Sequence, residues 1–480
     1  MINKYKYLKL ANIVLKNFCK YLLTEKYIFM TKKNTFMNNK NLFKEMFFTL
    51  IPLILTNSLG ILKYITNTIL VGNFLGGKAI SILSNTFPIT LIFYALSIAF
   101  STSISVLISK TFYNTENENN IINSKKIANN GYLFALITGI IVSFIIFIFD
   151  NIFLTILNTP NEILYDSRVF LLLFAVSFTP NFLQKNINES LRVLNKPNIP
   201  LIFVGINVIL NNLLLYLLIL NDFGIISIAI ANILSDIIIL FVSYIYIRSH
   251  EVLKIDFSLF KIDRNIFKDI SNIGIPIVFE QIIVSLIIFF ETSISNLGGI
   301  ICNSAFGIVG RWEEMFFVFS QSIQSLMIIY ISRYYFTKDK TMIFRITKNG
   351  IILSILPIVL FISISFIFTD FACKIFLKDE NVILRAVKYF HIAGIAYCIM
   401  PIDMIFNGFI IGSTKTKFLF ITNIFASISE IIIVVLLYKI LNYDNMLALG
   451  CGIITYTLFT LLLNFIYYLK NVFTICKIEK

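Results

Sequence analysis

Twelve apolar stretches of about twenty residues or more follow one another along the chain, separated by short polar segments. A helix of about twenty apolar residues crosses the ~30 Å hydrocarbon layer of a bilayer. Continuous rather than alternating hydrophobicity argues against a transmembrane β-barrel, and helices satisfy every backbone polar group inside lipid. We therefore predict an all-α integral membrane protein. Its predicted spans are 46–71, 80–108, 129–149, 165–184, 200–220, 224–247, 268–297, 304–332, 347–369, 384–412, 416–438 and 446–469.

The composition supports this prediction and argues against several other classes of protein. Hydrophobic residues make up 58% of the 480 residues, whereas soluble domains contain roughly 45–50%. The six cysteines include no C-x-x-C pair, and only two histidines are present, so the sequence indicates neither a disulfide framework nor a zinc site. No catalytic motif is recognisable. We expect no enzyme activity, no cofactor and no metal.

The net charge of +14 is explained by the distribution of basic residues among the predicted loops. With the N-terminus placed in the cytoplasm, 31 Lys and Arg residues fall on the cytoplasmic side and seven on the other. This is the bias expected of cytoplasmic loops, and it makes a nucleic-acid partner unnecessary. We predict a multi-pass protein of the cell membrane, surrounded by lipid, with both termini cytoplasmic.

Landmarks of the first half recur in the second, which indicates an internal repeat. The recurring pairs are Pro52 and Pro276, the Leu-Gly-Gly turns at 75–77 and 297–299, Pro180 and Pro401, Asn186 and Asn407, and Asp222 and Asp444. Six spans lie in each half, so the halves share one orientation and are related by a pseudo-two-fold along the membrane normal.

The repeat and the loops predict the organisation of the chain. The predicted segments are a basic N-terminal extension (1–41), an N-lobe of helices 1–6 (42–247), a cytoplasmic linker (248–267), a C-lobe of helices 7–12 (268–472) and a cytoplasmic tail (473–480). Two similar lobes that face each other suit alternating access.

Several motifs resemble those of the multidrug and toxic compound extrusion (MATE) family. They are the end of the first span (64–76), the opening of the fifth (196–211), the start of the sixth (227–232), the Ile-Gly-Ile-Pro at 273–276 and the Gly-Ser-Thr-Lys at 412–415. The similarity covers about residues 42–472. It implies a monomeric antiporter that exports small organic molecules, cationic ones included, against an inward H⁺ or Na⁺ gradient.

Other functions remain as alternatives to a MATE-type exporter. A flippase for a lipid-linked saccharide, from the same wider superfamily, would favour a cationic cavity and often two extra spans, and neither is evident. A membrane-embedded transferase would need a His/Asp/Arg cluster at one face or a large outer loop, whereas the predicted outer loops are short. The two-lobe repeat also argues against a receptor or a channel with a single axial pore.

The sequence departs from the family at its usual cation site in the N-lobe. The acid of the first span is replaced by Asn67, and that of the fifth by Asn211, one turn after Asn207. The threonine of the sixth span is replaced by Asn232. An amide offers a carbonyl oxygen to Na⁺ but does not titrate, so we predict that the N-lobe is not the coupling site.

Two charges lie well inside the predicted N-lobe spans, away from the span ends. Lys63 is one turn before Asn67, and Asp236 is one turn after Asn232. One interpretation is a buried pair, in which the ammonium occupies the space of a coupling cation. The other is that Lys63 extends to the interface while Asp236 caps a polar helix face.

Most of the other intramembrane charges lie in the C-half, where each is costly to insert and therefore a candidate for function. Glu280 and Glu291 are three turns apart on one face, and Asp403 follows Pro401, where a kink is expected. Asn407, in the same span, is included among the candidate binding residues. A carboxyl group shielded from water takes up a proton more readily, so Asp403 and Glu280, and then Glu291, are the candidates for handling the coupling ion.

Four further charged residues of the C-half have local interpretations. Arg311 is expected to neutralise either Glu313 or Glu314, a structural pair. Glu430 is as consistent with a hydrogen bond between packed helices as with a ligand.

Overall fold

The computed structural model describes residues 39–114, 119–156, 159, 161–335, 339–375 and 380–474. The predicted N-terminal extension (1–41) lies outside the described residues except for its last three positions, and the predicted tail (473–480) except for its first two. The chain divides into two units, Met1–Lys44 and Glu45–Lys480. Every site described below lies in the second unit.

Twelve helices of the described chain are long and apolar enough to cross a membrane. They correspond one to one with the predicted spans. Their bounds are α1 Asn41–Gly76, α2 Thr86–Phe112, α3 Asn120–Ile156, α4 Asn161–Val193, α5 Asn198–Leu220, α6 Ile226–Ile247, α7 Arg264–Ser295, α8 Ser304–Tyr334, α9 Lys340–Ile367, α10 Glu380–Gly412, α11 Thr416–Ile440 and α12 Asn445–Val472.

Many of the helices are longer than the apolar runs that predicted them. At 1.5 Å per residue, the 37 residues of α3 extend over about 55 Å, well beyond a ~30 Å hydrocarbon layer. The predicted spans 165–184 and 200–220 put Lys185 and Arg192 in a loop, and this prediction was wrong, because both lie inside α4. The polar segment 184–193 contains no glycine or proline, so the helix continues until the residues that precede Pro197.

The two halves repeat the same helix packing. In the first half α3 packs on α4, α4 packs on α5 and α6, and α5 packs on α6. The second half contains all four corresponding contacts, α9 with α10, α10 with α11 and α12, and α11 with α12. We call α1–α6 the N-lobe and α7–α12 the C-lobe.

The turns also repeat, because left-handed backbone conformations recur at corresponding places. The pairs and their φ angles are Gly76 (79°) and Gly299 (80°), Asn195 (64°) and Thr414 (62°), and Asp222 (59°) and Asn442 (53°). Two of these pairs differ from the landmarks read in the sequence. Gly299 corresponds to Gly76 rather than to the next glycine, and Asn442 rather than Asp444 corresponds to Asp222.

The helix ends that lie at the linker between the lobes are called the linker side, and the opposite ends are called the far side. On the linker side and up to mid-helix, α1 and α2 form hydrogen bonds with α8. The contacts are Glu45 Oε1 to Arg333 Nη1 (3.4 Å), Thr49 Oγ1 to Tyr330 Oη (3.2 Å), Asn57 Nδ2 to Ser322 Oγ (3.0 Å) and Ser109 Oγ to Ser332 Oγ (2.8 Å). In the described chain, no hydrogen bond between the lobes is found on the far side.

The linker is attached to the start of α3. Lys125 Nζ and Lys126 Nζ donate to Asp256 Oδ2 and Asp263 Oδ2, each at 2.6 Å. Hydrogen bonds from Lys125 and Ser258 hold the pKa of the Asp256 carboxyl at about 2. The Asp256 carboxylate therefore stays ionised at neutral pH and keeps the linker on the N-lobe.

Candidate functional site

In the N-lobe, a lysine and an aspartate are linked through an asparagine. Lys63 Nζ donates to Asn207 Oδ1 at 2.9 Å, and Asn207 Nδ2 donates to Asp236 Oδ1, also at 2.9 Å. The ammonium is 4.0 Å from Asp236 Oδ1. Asn181 Nδ2 donates to the other carboxylate oxygen at 3.3 Å. The structure thus brings together Lys63 and Asp236, as one sequence interpretation expected, with Asn207 between them.

The remaining asparagines form a second layer beside this pair. Asn211 Nδ2 donates to Asn232 Oδ1 at 2.9 Å and lies 3.4 Å from Ser235 Oγ. The amide oxygens of Asn67 and Asn211 are buried without a hydrogen-bond partner. Asn207 and Asn211 on α5 thus bond to Asp236 and Asn232 on α6, and on α1 Asn67 follows Lys63 by one helical turn. We call these six residues the N-lobe amide cluster.

The charges of the N-lobe amide cluster cancel. Lys63 contributes one positive charge and Asp236 one negative charge, and the two side chains are 20% and 6% exposed. A monovalent cation placed about 4 Å from the ammonium would be repelled by about 1–4 kcal/mol at effective dielectrics between those of water and a protein surface. The cluster is chemically suited to a fixed structural role.

In the C-lobe, two of the predicted carboxylates lie among amides. Asp403 Oδ1 on α10 accepts a hydrogen bond from Asn464 Nδ2 on α12 at 2.9 Å. Glu280 Oε1 on α7 accepts from Asn407 Nδ2 at 3.4 Å, and Asn407 Oδ1 accepts from Gln324 Nε2 at 2.6 Å. The other oxygen of Glu280 is buried without a partner.

Three more carboxyl groups meet nearer the far side of the C-lobe. The carboxyl groups of Glu291 on α7, Glu430 on α11 and Glu313 on α8 are close enough for their charges to interact. Tyr397 Oη donates to Glu313 Oε2 at 3.4 Å. Buried carboxylates this close to one another repel when all are ionised, so this group is suited to binding a proton.

The structure shows which glutamate pairs with Arg311 and where Glu430 lies. Arg311 Nη1 is 3.2 Å from Glu314 Oε1, and both side chains are exposed, so this is a surface pair. Glu313 is left to face the interior. Glu430 is 1% exposed, and its carboxyl group lies within electrostatic range of Glu291 and Glu313.

The five C-lobe carboxylates form one group. They are Glu280, Glu291, Glu313, Asp403 and Glu430. The hydroxyl of Tyr456 is within electrostatic range of four of them and donates to Asn423 at 2.6 Å. Within the described chain none of the five is paired with a lysine or arginine, and the hydrogen bonds they accept come from neutral amides and hydroxyls. Burial penalises such unpaired charge, so a cation that neutralises this group must come from outside the protein.

A central cavity separates the lobes at mid-depth. Its N-lobe wall includes Lys185, Glu189 and Arg192 from α4, and its C-lobe wall includes Glu280 and Gln281 from α7. The C-lobe carboxylates therefore extend from the far side, at Glu313, to the cavity, at Glu280.

Sequence reasoning missed the cavity lining and two amide partners. Asn181 and Asn464 stand out as polar residues inside apolar runs, which was the available signal. Lys185 gave no such signal in the sequence, because a lysine at the end of an apolar run has the same sequence context whether it lies in a loop or in a cavity wall.

Two six-helix lobes of repeated topology, with a polar cavity between them and unpaired carboxylates inside one lobe, are the architecture of a class of membrane transporters. The MatE family model matches residues 52–217 and 276–436, once in each lobe, and the chain belongs to that family. The predicted fold class, family and transport role are confirmed.

Similar proteins agree with this membership. The chain is 23% identical over 394 residues to the probable multidrug resistance protein YoeA of Bacillus subtilis (strain 168), covering 80% of this chain and 84% of YoeA. An outward-facing multidrug resistance MATE transporter of the MOP superfamily superposes with a TM-score of 0.83 at 16% identity, over 93% of this chain and all of that one. A MOP superfamily transporter from Pyrococcus furiosus, described as having reversed polarity of its binding pocket, superposes with a TM-score of 0.80 at 16% identity, over 94% of this chain and all of that one.

Proposed function

We propose that this protein exports small organic molecules from the cell by alternating access, and that the C-lobe couples export to an inward flow of protons. The observation that carries the proposal is the contrast in charge between the lobes. The N-lobe amide cluster holds its own cation, Lys63, whereas the five C-lobe carboxylates have no basic partner among the described residues.

A proton fits the C-lobe group better than a metal cation does. Glu291, Glu313 and Glu430 are buried close together without a basic partner among the described residues, and a proton on one of them lowers their mutual repulsion. Asp403 and Glu280 are held by amides and have spare oxygen atoms, so each can accept a further proton. Sodium remains the alternative coupling ion, which the experiment below distinguishes.

The lobe contacts suggest how the two sides are opened in turn. The hydrogen bonds between Glu45 and Arg333 and between Thr49 and Tyr330 close the linker side. This arrangement suits a state in which substrate leaves, and a proton enters, on the far side. Neutralising the C-lobe carboxylates would then favour opening of the linker side.

The direction of transport follows from the orientation. The excess of Lys and Arg on the linker side favours a cytoplasmic location for that side and for both termini. The far side then faces the exterior of the cell membrane. Cysteine labelling at position 258 tests this, because an impermeant reagent applied to intact cells should leave that position unlabelled.

The proposed coupling is tested with purified protein in proteoliposomes, loaded with a fluorescent substrate and subjected to a pH gradient or a sodium gradient separately. We expect substrate movement to follow the pH gradient and to stop when an ionophore removes it. Movement that follows only the sodium gradient would assign the coupling to sodium, and movement that follows neither would contradict the antiporter.

A further inference from the structure

The two walls of the central cavity carry opposite charge. On the N-lobe wall, Arg192 Nη1 donates to Glu189 Oε1 at 2.8 Å, so these two charges neutralise each other. Lys185, one turn before Glu189 on α4, also lines the cavity. The N-lobe wall therefore has a surplus positive charge. On the C-lobe wall the charged group is Glu280, and its neighbours along the cavity are Gln281 and Gln324.

Both of these charges lack a full set of partners. Within the described residues, Lys185 makes no hydrogen bond or salt bridge, although Glu189 and Arg192 are within electrostatic range of it. Glu280 accepts one long hydrogen bond from Asn407 and lies near the Asn423 amide, and its second oxygen is buried without a hydrogen bond. The ammonium and the carboxylate belong to different lobes. Because charge removed from water is costly unless paired, the cavity is poised to bind a molecule that supplies the missing partners.

The rest of the lining shows what kind of molecule would fit. Aliphatic side chains contribute to both walls, including Ile98 on α2, Ile277 on α7 and Ile328 on α8. Amides on α1 and α8, such as Asn57 and Gln321, add neutral donors and acceptors. This is the mixture found in small-molecule sites, in which apolar surface is combined with a few polar groups that fix orientation.

We propose that the cavity selects amphipathic zwitterions, which are organic molecules with an acidic group, a cationic group and an apolar body. Lys185 binds the acidic group of the substrate, Glu280 binds its cationic group, and the isoleucines contact the apolar body. This inference rests on the proposed function, because it takes the central cavity to be the route of the exported molecule. It adds Lys185 as the residue that distinguishes zwitterions from simple organic cations.

A matched pair of dyes tests the selectivity. Rhodamine B and its methyl ester share one cationic aromatic body, and only rhodamine B has a free carboxylate. We expect purified protein to bind rhodamine B about tenfold more tightly than the ester, as for one hydrogen bond between charged groups. The variant K185M should lose this preference while its affinity for the ester changes less than about twofold.

Three further variants separate a binding role from a structural one. K185R should keep the preference, because the charge remains. E280Q should weaken binding of both dyes, because both carry the cation. K261M removes a lysine from the exposed linker and should change neither affinity.

The outcomes for the substrate and for the function are distinguishable, because binding is measured without a gradient. Equal affinity of the native protein for the two dyes, no saturable binding of rhodamine B, or an equal loss of both affinities in K185M would overturn the zwitterion proposal. Selective binding without gradient-driven transport would instead overturn the antiporter and leave the cavity assignment standing.

Discussion

The two lobes share one topology but balance their buried charge in opposite ways. In the N-lobe, Lys63 faces Asp236 through Asn207, so the protein supplies its own cation. In the C-lobe, Asp403 and Glu280 are held by neutral amides. The repeat therefore sets which helices pack together, whereas the side chains on those helices set which lobe can change its charge during a transport cycle.

The contrast extends to one pair of corresponding residues. Asn186 and Asn407 occupy equivalent places in the repeat, and both are buried. Asn186 Oδ1 accepts a long bond of 3.4 Å from Ser190 within its own helix, whereas Asn407 connects Glu280 to Gln324 across three helices. The same residue therefore serves local structure in one lobe and the carboxylate group in the other.

The largest expected effect comes from removing a C-lobe charge. Asp403→Asn should lower gradient-driven export by about a hundredfold or more, with expression and folding intact, because the amide cannot bind a proton where the carboxylate did. Glu280→Gln should act in the same direction. Asn67→Ala, in the N-lobe, should have a mild effect. All are measured as initial rates in proteoliposomes under an imposed pH gradient.

The opposite pattern would reverse the comparison between the lobes. If Asp403→Asn and Glu280→Gln both exported normally while Asn67→Ala or Asn211→Ala was inactive, the N-lobe amide cluster would be the coupling site.

The second expected effect is on folding of the N-lobe. Lys63→Met should destabilise the protein by about 3 kcal/mol, because it leaves Asp236 buried without its cation. The double variant Lys63→Met with Asp236→Asn should recover most of this loss. Thermal unfolding of the detergent-solubilised protein gives the measurement. If the double variant were as unstable as Lys63→Met, the loss of the Lys63–Asp236 pair would not explain the lower stability.

The third expected effect concerns the contact between the lobes. Arg333, 7% exposed, bonds to Glu45 and lies over the ring of Tyr113 at 4.5 Å. Arg333→Met should open the linker side more often, and a cysteine introduced at Ser105, which lines the cavity, should react about tenfold faster with a reagent applied from that side.

The exposed pair of Arg311 and Glu314 provides the control for the lobe contact. Arg311→Met also removes one arginine charge from α8, but it breaks no bond between lobes. Equal labelling rates in the two variants would contradict the role given to Arg333.

The smallest expected effect is at the linker. Asp256→Asn should lower the melting temperature by no more than about 2 °C, since partly exposed pairs contribute little. The lowered pKa of Asp256 means that its contribution is present above the ordinary value of 3.8 and is lost as the pH falls towards 2. Protection of residues 250–263 from hydrogen exchange should therefore be constant across about pH 5–8 in the native protein. A loss of protection in that range would contradict the role of the Asp256 carboxylate in holding the linker.

Much of the fold was accessible from the sequence, whereas the site was accessible only in part. The ten candidate residues all lie in the twelve candidate spans, and the pairing of Lys63 with Asp236 was one of two interpretations. The proximity of Glu291 to Glu430 was not foreseen, because it brings α7 to α11 across 139 positions of the chain. Periodicity along one helix carries no information about which distant helix lies beside it.

The number and order of the twelve helices and their repeat can be read from the chain, because the length of an apolar run and the place of a proline or glycine are local properties. Which charges meet depends on how the helices pack. The packing placed Lys185 in a cavity instead of a loop, gave Glu314 rather than Glu313 to Arg311, and gathered five carboxylates from four helices. The physical reason is that the environment of a buried charge is set by side chains on neighbouring helices, which only packing brings together.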